Sequence, residues 1–381
     1  MAEDALCRDE FPITERLNYL NNCSLTPMPR RARRALEEYA TLWSEWGGRA
    51  WYSHWMNELE ALRADFAFVL GADPDEIALQ PGVSTALVAV ASAMDYATRD
   101  TVVVTDIDFP TDGHVFLARA HQGVKVRFVH SPDGISVPLD AFADAIDERT
   151  ALVCTGHVFY ASGAIQDVAA IARLCHAKGA LLLVDAYQSI GAFPFDVHAA
   201  NVDFLAGGTL KWLMGGPGMA FLYVRRDLAP RLRPTALGWW SQADPFSFDV
   251  QHLDLPPTAR RFEYGTPSVP TAYAARAGIA LLREVGITRV RQRHQRLSQR
   301  LVDGALANGL RVRCPIDAEQ RTSIVTIAHA HPHAAVDALR ARGIIVDSRP
   351  GVVRFSPHIF NTEDEIDAAV AAMVEVSAAR V

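Results

Sequence analysis

Short, mainly apolar runs recur along the middle of the chain at 101–105, 124–129, 151–155, 180–184, 202–206 and 219–224, the pattern of strands buried on both faces. Between them, near 113–121, 140–147 and 166–178, apolar residues fall three and four apart and predict helices. Strand and helix signals in alternation predict an α/β unit with a mostly parallel sheet.

The flanking regions differ. Residues 1–16 read as a polar arm, and 17–27 as a short strand running into a turn before a helix that starts after Pro29. An amphipathic helix over Leu59–Leu70 closes at Gly71 and Pro74. The strand at Ile77–Gln80 then delivers Gly82, Ser84 and Thr85 to the start of a helix over 86–95. Free N–H groups and hydroxyls at such a start make an anion site, although a plain N-cap uses the same residues. Past a proline- and aromatic-rich connection at 230–270, helices over Thr271–Val285 and Ile287–Asn308 lead to a smaller α+β unit. Its strands are predicted near 322–327, 343–346 and 352–355, with a helix after Thr362. This pattern divides the chain into an arm at 1–16, a large domain at 17–262 and a small domain at 263–381.

With 381 residues, half of them hydrophobic, the chain can bury a large core. A net charge of −7 argues against nucleic acid as the main partner. The acidic start without an apolar signal region, and apolar runs too short to span a bilayer, predict a cytoplasmic protein. The five cysteines are odd in number and form no Cys-x-x-Cys pair, so neither a disulfide framework nor a zinc site is indicated. His329, His331 and His333 alternate beside a proline, but at a strand end this is weak as a metal motif.

The chemistry concentrates in Val202–Val224. Only three lysines occur (Lys125, Lys178 and Lys211), and Lys211 lies between apolar runs in a glycine-rich segment. Apolar flanks desolvate an amine and lower its pKa, which makes it a nucleophile towards carbonyls. An ordinary surface lysine beside a buried hairpin is the alternative. Asp185 changes that balance, because it follows the strand run Ala180–Val184 and so emerges at the strand's carboxyl end, where open α/β sheets place their ligands. A buried amine and such a carboxylate together suggest a pyridoxal phosphate (PLP) site, since this cofactor needs an amine for its aldehyde carbon and a carboxylate for its ring nitrogen.

Seven segments, taken in order, extend this. They are Gly82–Thr85, Asp106–Asp112 (Asp-Ile-Asp-Phe-Pro-Thr-Asp), Gly156–Gly163, Val184–Gln188, the lysine segment, Arg261–Thr266 and Val352–Ser356. Together they resemble the class V aminotransferase superfamily of fold-type I PLP enzymes from Leu17 to the C-terminus. The resemblance implies a large domain with a mostly parallel, seven-stranded type of sheet and a smaller C-terminal α+β domain. It also implies roles. Lys211 would be the Schiff-base lysine and Asp185 the partner of the pyridine nitrogen. Gln188 would contact the phenolic oxygen, Ser84 and Thr85 would hold the phosphate, and Thr209 is a further candidate for it. Phe109 would stack on the ring, or else be simple core. Thr266 would reach the phosphate of a neighbouring subunit, so a homodimer with shared active sites is implied. Arg354 would bind the α-carboxylate of an amino-acid substrate through its planar fork, or else form a strand-surface ion pair. Tyr160 is a further substrate-binding candidate, and Trp239 either joins it or packs the domain junction.

The nearest subgroup is kynureninase-like, by Phe109-Pro110-Thr111-Asp112, His157-Val158-Phe159-Tyr160, Gly238-Trp239 and Gly265-Thr266. Three departures separate the chain from kynureninases: Gln188 stands where histidine is usual, Leu210 where a tyrosine precedes the lysine, and Asn22-Cys23-Ser24-Leu25-Thr26 where an Asn-Ser-Leu-Gly motif is usual. Desulfurase-like members use a mobile cysteine before the position of Arg354, and Ile345–Gly351 contains none. Side-chain cleavage of an amino acid is therefore expected, by β-elimination such as carbon–sulfur lysis or by hydrolytic β-cleavage. Transamination or epimerisation, and binding of PLP without turnover, are the alternatives. Roles for Cys23 and His157 stay open, as does the meaning of the aromatic stretch at 43–57.

Overall fold

The computed structural model describes residues 5–378. The first four residues of the expected arm and residues 379–381 lie outside that range.

Seven strands form the central sheet: β1 (Ile77–Gln80), β2 (Thr101–Thr105), β3 (Lys125–Val129), β4 (Thr150–Gly156), β5 (Leu181–Asp185), β6 (Phe204–Gly208) and β7 (Ala220–Val224). Their spatial order is β1-β7-β6-β5-β4-β2-β3. Only β7 runs antiparallel to its neighbours. The others point the same way, so their carboxyl ends share one edge. The inner strands are buried on both faces because helices cover both sides of the sheet, which is why they read as apolar runs rather than as alternating ones.

A second, three-stranded antiparallel sheet has the order Asp347–Arg349, Val352–Phe355, Val325–Ala328. It packs with the helices Ile287–Ala307, Pro332–Arg340 and Glu363–Ala378 around a separate core. Two elements sit differently from expectation. The helix Val269–Val285, expected in the small unit, packs on the helices Arg30–Trp46 and Met56–Leu70 within the large core. The N-terminal segment is not a free arm. Phe11 is fully buried with its ring 4.3 Å from that of Phe360, and Asn18–Tyr19 pairs in parallel with Ile344–Ile345. Residues 11–19 thus lie against the C-terminal unit before the chain enters the large one.

In the aromatic stretch at 43–57, Trp51 and Trp55 pack between helices while Trp46 is exposed. Trp55 lies 5.4 Å from Tyr39 and 5.2 Å from Trp51, and Trp51 lies 6.2 Å from Trp240. Trp43 and Tyr52 remain exposed.

Candidate active site

Pairing across the sheet aligns the key positions. Gly156 is in register with Asp185, and Asp185 with Ala206, so the ends of β4, β5 and β6 lie abreast. Lys211 follows five residues after Ala206, in a loop folded back on itself. Thr209 closes that loop: its N–H donates to the Met219 carbonyl (3.1 Å), and its carbonyl accepts from the Gly215 N–H (2.8 Å). Two glycines permit the close packing. A Cβ at Gly208 would lie 2.6 Å from the Tyr187 ring, and one at Gly278 would lie 2.2 Å from the Leu213 carbonyl oxygen. The Tyr187 ring is thereby seated 4.2 Å from Lys211 Nζ, and the helix Val269–Val285 rests directly on the lysine loop.

A cavity of about 230 Å³ opens at this edge, and Lys211, Asp185, Gln188, Phe109, Tyr160 and Arg354 all line it. Burial holds the Lys211 amine down to about 8, with Arg354 and Arg349 pushing the same way and Asp185 opposing. Burial raises the Asp185 carboxyl, against the Tyr187 N–H that donates to its Oδ1 (2.8 Å) and the nearby Lys211. The Gln188 amide donates to the Cys23 carbonyl (2.9 Å) and accepts from the Trp212 indole N–H (3.2 Å), which fixes its orientation.

Arg354 is fully buried. Its Nε and Nη2 hold both oxygens of Asp347 at 2.8 and 2.6 Å, and Nη1 donates to the Tyr160 carbonyl (2.5 Å). The side fork expected for a substrate carboxylate is therefore closed on Asp347. Three of its five N–H donors are spent, and the remaining two offer end-on contact.

Several residues in or beside the cavity had no assigned role. Asp108 is locked by the N–H groups of Thr105 (2.9 Å) and Gly156 (2.8 Å) and by the Thr155 hydroxyl (3.0 Å), and burial raises its carboxyl to about 6. Asp112 is completely buried, and neither of its carboxylate oxygens has a hydrogen-bond partner. Burial, with Asp185 and Asp108 adding to it, raises its carboxyl well above the ordinary range. Both lie in the segment Asp106–Asp112, whose density of aspartates was the available signal. Arg349 also lines the cavity, as does Cys23, whose thiol is raised by burial.

Other expectations move. Thr209 is buried and lines no part of the cavity; its hydroxyl is spent on the carbonyls of Gly216 (2.8 Å) and Met219 (3.0 Å), so it shapes the loop and has no donor left for a phosphate. His157 is buried outside the cavity against Phe193 and Phe195, and burial takes its imidazole down to about 3, so it is a neutral packing residue. Trp239 lies 4.8 Å from Trp240 in a separate aromatic cleft, and Thr266 is exposed in another, so neither reaches Lys211 within one chain. Ser84 and Thr85 also stand outside the cavity, at the start of the helix Val83–Ala93. Thr85 Oγ1 donates to the Gly82 carbonyl (2.6 Å), which caps the helix, and Ser84 Oγ lies 3.4 Å from Thr111 Oγ1.

These residues fit a flat pyridine aldehyde. Asp112 and Asp185 supply buried carboxylate with unmet need for a proton donor or cation. Phe109 is 46 % exposed at the cavity, its ring edge-on to Tyr160 at 5.3 Å, so it is not core and leaves a face for a second ring. Lys211 supplies a weakly basic amine.

The sheet topology and this edge define a fold-type I enzyme dependent on pyridoxal phosphate. The chain belongs to the aminotransferase class-V family, which matches residues 18–369. It is 36 % identical over 365 residues, 95 % of each chain, to an uncharacterized aminotransferase, YcbU, of Bacillus subtilis (strain 168). It is 30 % identical over 397 residues to the kynureninase of Pseudomonas fluorescens, covering 98 % of this chain and 93 % of that one. The fold matches the apo structure of a cysteine desulfurase from Thermococcus onnurineus NA1 with a TM-score of 0.90, at 24 % identity over 99 % of both chains.

Proposed function

We propose that the chain cleaves the side chain of an α-amino acid, by β-elimination such as carbon–sulfur lysis or by kynureninase-like hydrolytic β-cleavage. The observation that carries this reading is a second cleft of about 520 Å³ that borders the Lys211 cavity and shares Phe159, Tyr160 and Arg349 with it as lining. A side chain extending from the reacting centre, and the fragment released from it, would have that cleft beside it, and the likeness to a kynureninase favours cleavage there over chemistry confined to Cα. Pyridoxal phosphate, when bound, supplies an electron sink for the carbanion at Cα.

The protein's own groups do the rest. Lys211, with a pKa of about 8, can take a proton from Cα and return one near neutral pH. Asp185 and Asp112 would hold the proton on the ring nitrogen. Phe109 would fix the ring plane, Gln188 would contact the phenolic oxygen, and the Ser84 hydroxyl with the free N–H groups at the start of its helix, that of Thr85 among them, would hold the phosphate. The two unspent N–H groups of Arg354 take the α-carboxylate, with Tyr160 beside it. Thr266 and Trp239, exposed and away from Lys211 in their own chain, act at the site of a second copy, which makes the working unit a homodimer.

The test is a mass-spectrometric product screen over amino acids and S-substituted cysteines with the PLP-loaded protein. Release of the side-chain fragment, with pyruvate and ammonia or with alanine, is expected. A keto acid that keeps its side chain would overturn cleavage in favour of transamination, and spectral change without product would favour a binding protein.

A further inference from the structure

The second cleft has a chemistry of its own. Residues 311–313 run beside the strand Val325–Ala328: the Arg313 N–H donates to the Thr326 carbonyl, and the Ala328 N–H to the Arg311 carbonyl, both at 2.8 Å. Extended residues two apart face the same way, so Arg311 and Arg313 both project to the cleft, where Arg349 joins them. Against these three guanidinium groups the cleft has one carboxylate, Asp106. That carboxylate is already engaged, accepting from the Ser131 N–H (2.9 Å) and facing His130 Nδ1 (3.0 Å).

Nearby carboxylates offset the excess only in part. Arg349 lies 3.2 Å from Asp347, the same carboxylate that Arg354 grips with two donors, so one anion serves two cations. Arg313 donates to the Asp133 carbonyl (2.6 Å), and its charge helps to lower the Asp133 carboxylate nearby. Arg311 is exposed and has no side-chain partner among the described residues. Arg311, Arg313 and Arg349 thus share the second cleft with one carboxylate, Asp106, in a chain whose net charge is −7, while the carboxyls of Asp108, Asp112 and Asp185 line the Lys211 cavity beside it. Concave walls such as Phe159 and Tyr160 concentrate the remaining field on whatever enters.

We propose that the enzyme selects α-amino acids whose side chain ends in an oxyanion, held at Arg349, Arg311 and Arg313 while the α-carboxylate lies at Arg354. A guanidinium matches a carboxylate or a sulfur oxyanion equally in charge and fork geometry. The proposal rests on reading the Lys211 cavity as an amino-acid site.

The test compares isosteric ligands on the PLP-loaded protein: S-(2-carboxyethyl)cysteine, its uncharged amide S-(2-carbamoylethyl)cysteine, and S-(2-sulfoethyl)cysteine. Dissociation constants come from the change in cofactor absorbance, and from calorimetry on the cofactor-free protein. The carboxylate is expected to bind about tenfold or more tightly than the amide, with the advantage shrinking as salt rises. The sulfonate arm reports whether the oxyanion is carboxylate only or of either kind. In the double variant Arg311→Gln/Arg313→Gln the ratio of acid to amide should fall towards one. Arg311→Lys should keep part of it, and Lys178→Gln, a charge loss far from the cleft, should leave it unmoved. Equal affinities in the wild-type protein, or a ratio that survives the double variant, would overturn the proposal. Binding is read separately from turnover. Strong acid preference with no fragment released would refute cleavage and keep the anion site, whereas cleavage with equal affinities would do the reverse.

Discussion

Replacing Asp112 with asparagine should push the cofactor-free and cofactor-loaded protein in opposite directions. The side chain is fully buried, neither oxygen has a partner, and Asp185 and Asp108 add repulsion to the cost of burial. Its pKa is therefore raised by folding, and the sign follows. The cost is absent below the unfolded value of 3.8 and accumulates as pH rises above it, at about 1.4 kcal/mol per pH unit while the acid stays protonated. Asparagine makes the same neutral contacts without taking up a proton. At pH 7 the cofactor-free variant should therefore be more stable than the wild-type protein, by a margin that grows with pH above the unfolded value. With an unfolding entropy of roughly 2.1 cal/mol/K per residue, each kcal/mol of that margin should raise the melting temperature of a chain of this length by about 1 °C. The loaded protein should lose a charge-assisted contact to the ring nitrogen, about 1.5–3 kcal/mol, or about 10- to 150-fold in cofactor affinity. Differential scanning calorimetry of both forms between pH 4 and 8, with spectroscopic titration of PLP, reads both effects. A variant that melts lower without cofactor at pH 7, or whose gain does not grow with pH, would refute the orphaned carboxylate. Unchanged PLP affinity would refute its position opposite the ring.

Two further outcomes are expected. Capture of PLP by the cofactor-free protein requires the unprotonated Lys211 amine, so its rate should rise steeply with pH towards about 8 and level off above; a stopped-flow absorbance profile that is flat from pH 6.5 to 8.5 would contradict the lowered pKa. Phe109→Ala should weaken PLP binding by about 2- to 12-fold through lost stacking, with little change in the melting temperature of the cofactor-free protein, since the ring is 46 % exposed; a large drop in melting temperature would mark it as core.

What could be read from the sequence was what depends on local pattern. The strands of the sheet announced themselves because burial on both faces leaves no polar alternation, and Asp185 could be located because it terminates one of them. Lys211 stood out by its apolar neighbours. What failed depended on how loops close and which elements meet. Thr209 offers a hydroxyl next to the lysine segment, yet the turn through Gly216 and Met219 consumes it. The fork of Arg354 is planar and strong, but its strand partner in register is Asp347, a pairing visible only once the hairpin is formed. Asp112 stands in a recognisable motif, yet its role is not legible there, because a buried carboxylate cannot be told from a surface one by its letter. The helix Val269–Val285 was assigned to the wrong core because Gly278, which lets it touch the lysine loop, looks like any helical glycine.

These failures share a physical theme. Around Lys211 the protein buries three carboxyls (Asp108, Asp112 and Asp185) within the reach of one amine, and every one of the four has its charged form disfavoured by burial. A fold selected only for stability would not keep them, since isolated buried charges cost more than they return. Asp108 is the exception that clarifies the rest: three donors satisfy it, so it serves the loop that carries Phe109 and Asp112. Asp112 has no such set of donors, only the weaker pull of the Phe109 N–H and Lys211, and Asp185 has the Tyr187 N–H and Lys211. Their unmet demand is for a cation or a proton donor entering the cavity, and the lowered Lys211 makes that entrant a carbonyl compound as well. A pyridine aldehyde meets both demands at once, so the same groups that destabilise the empty edge of the sheet give the cofactor its binding energy.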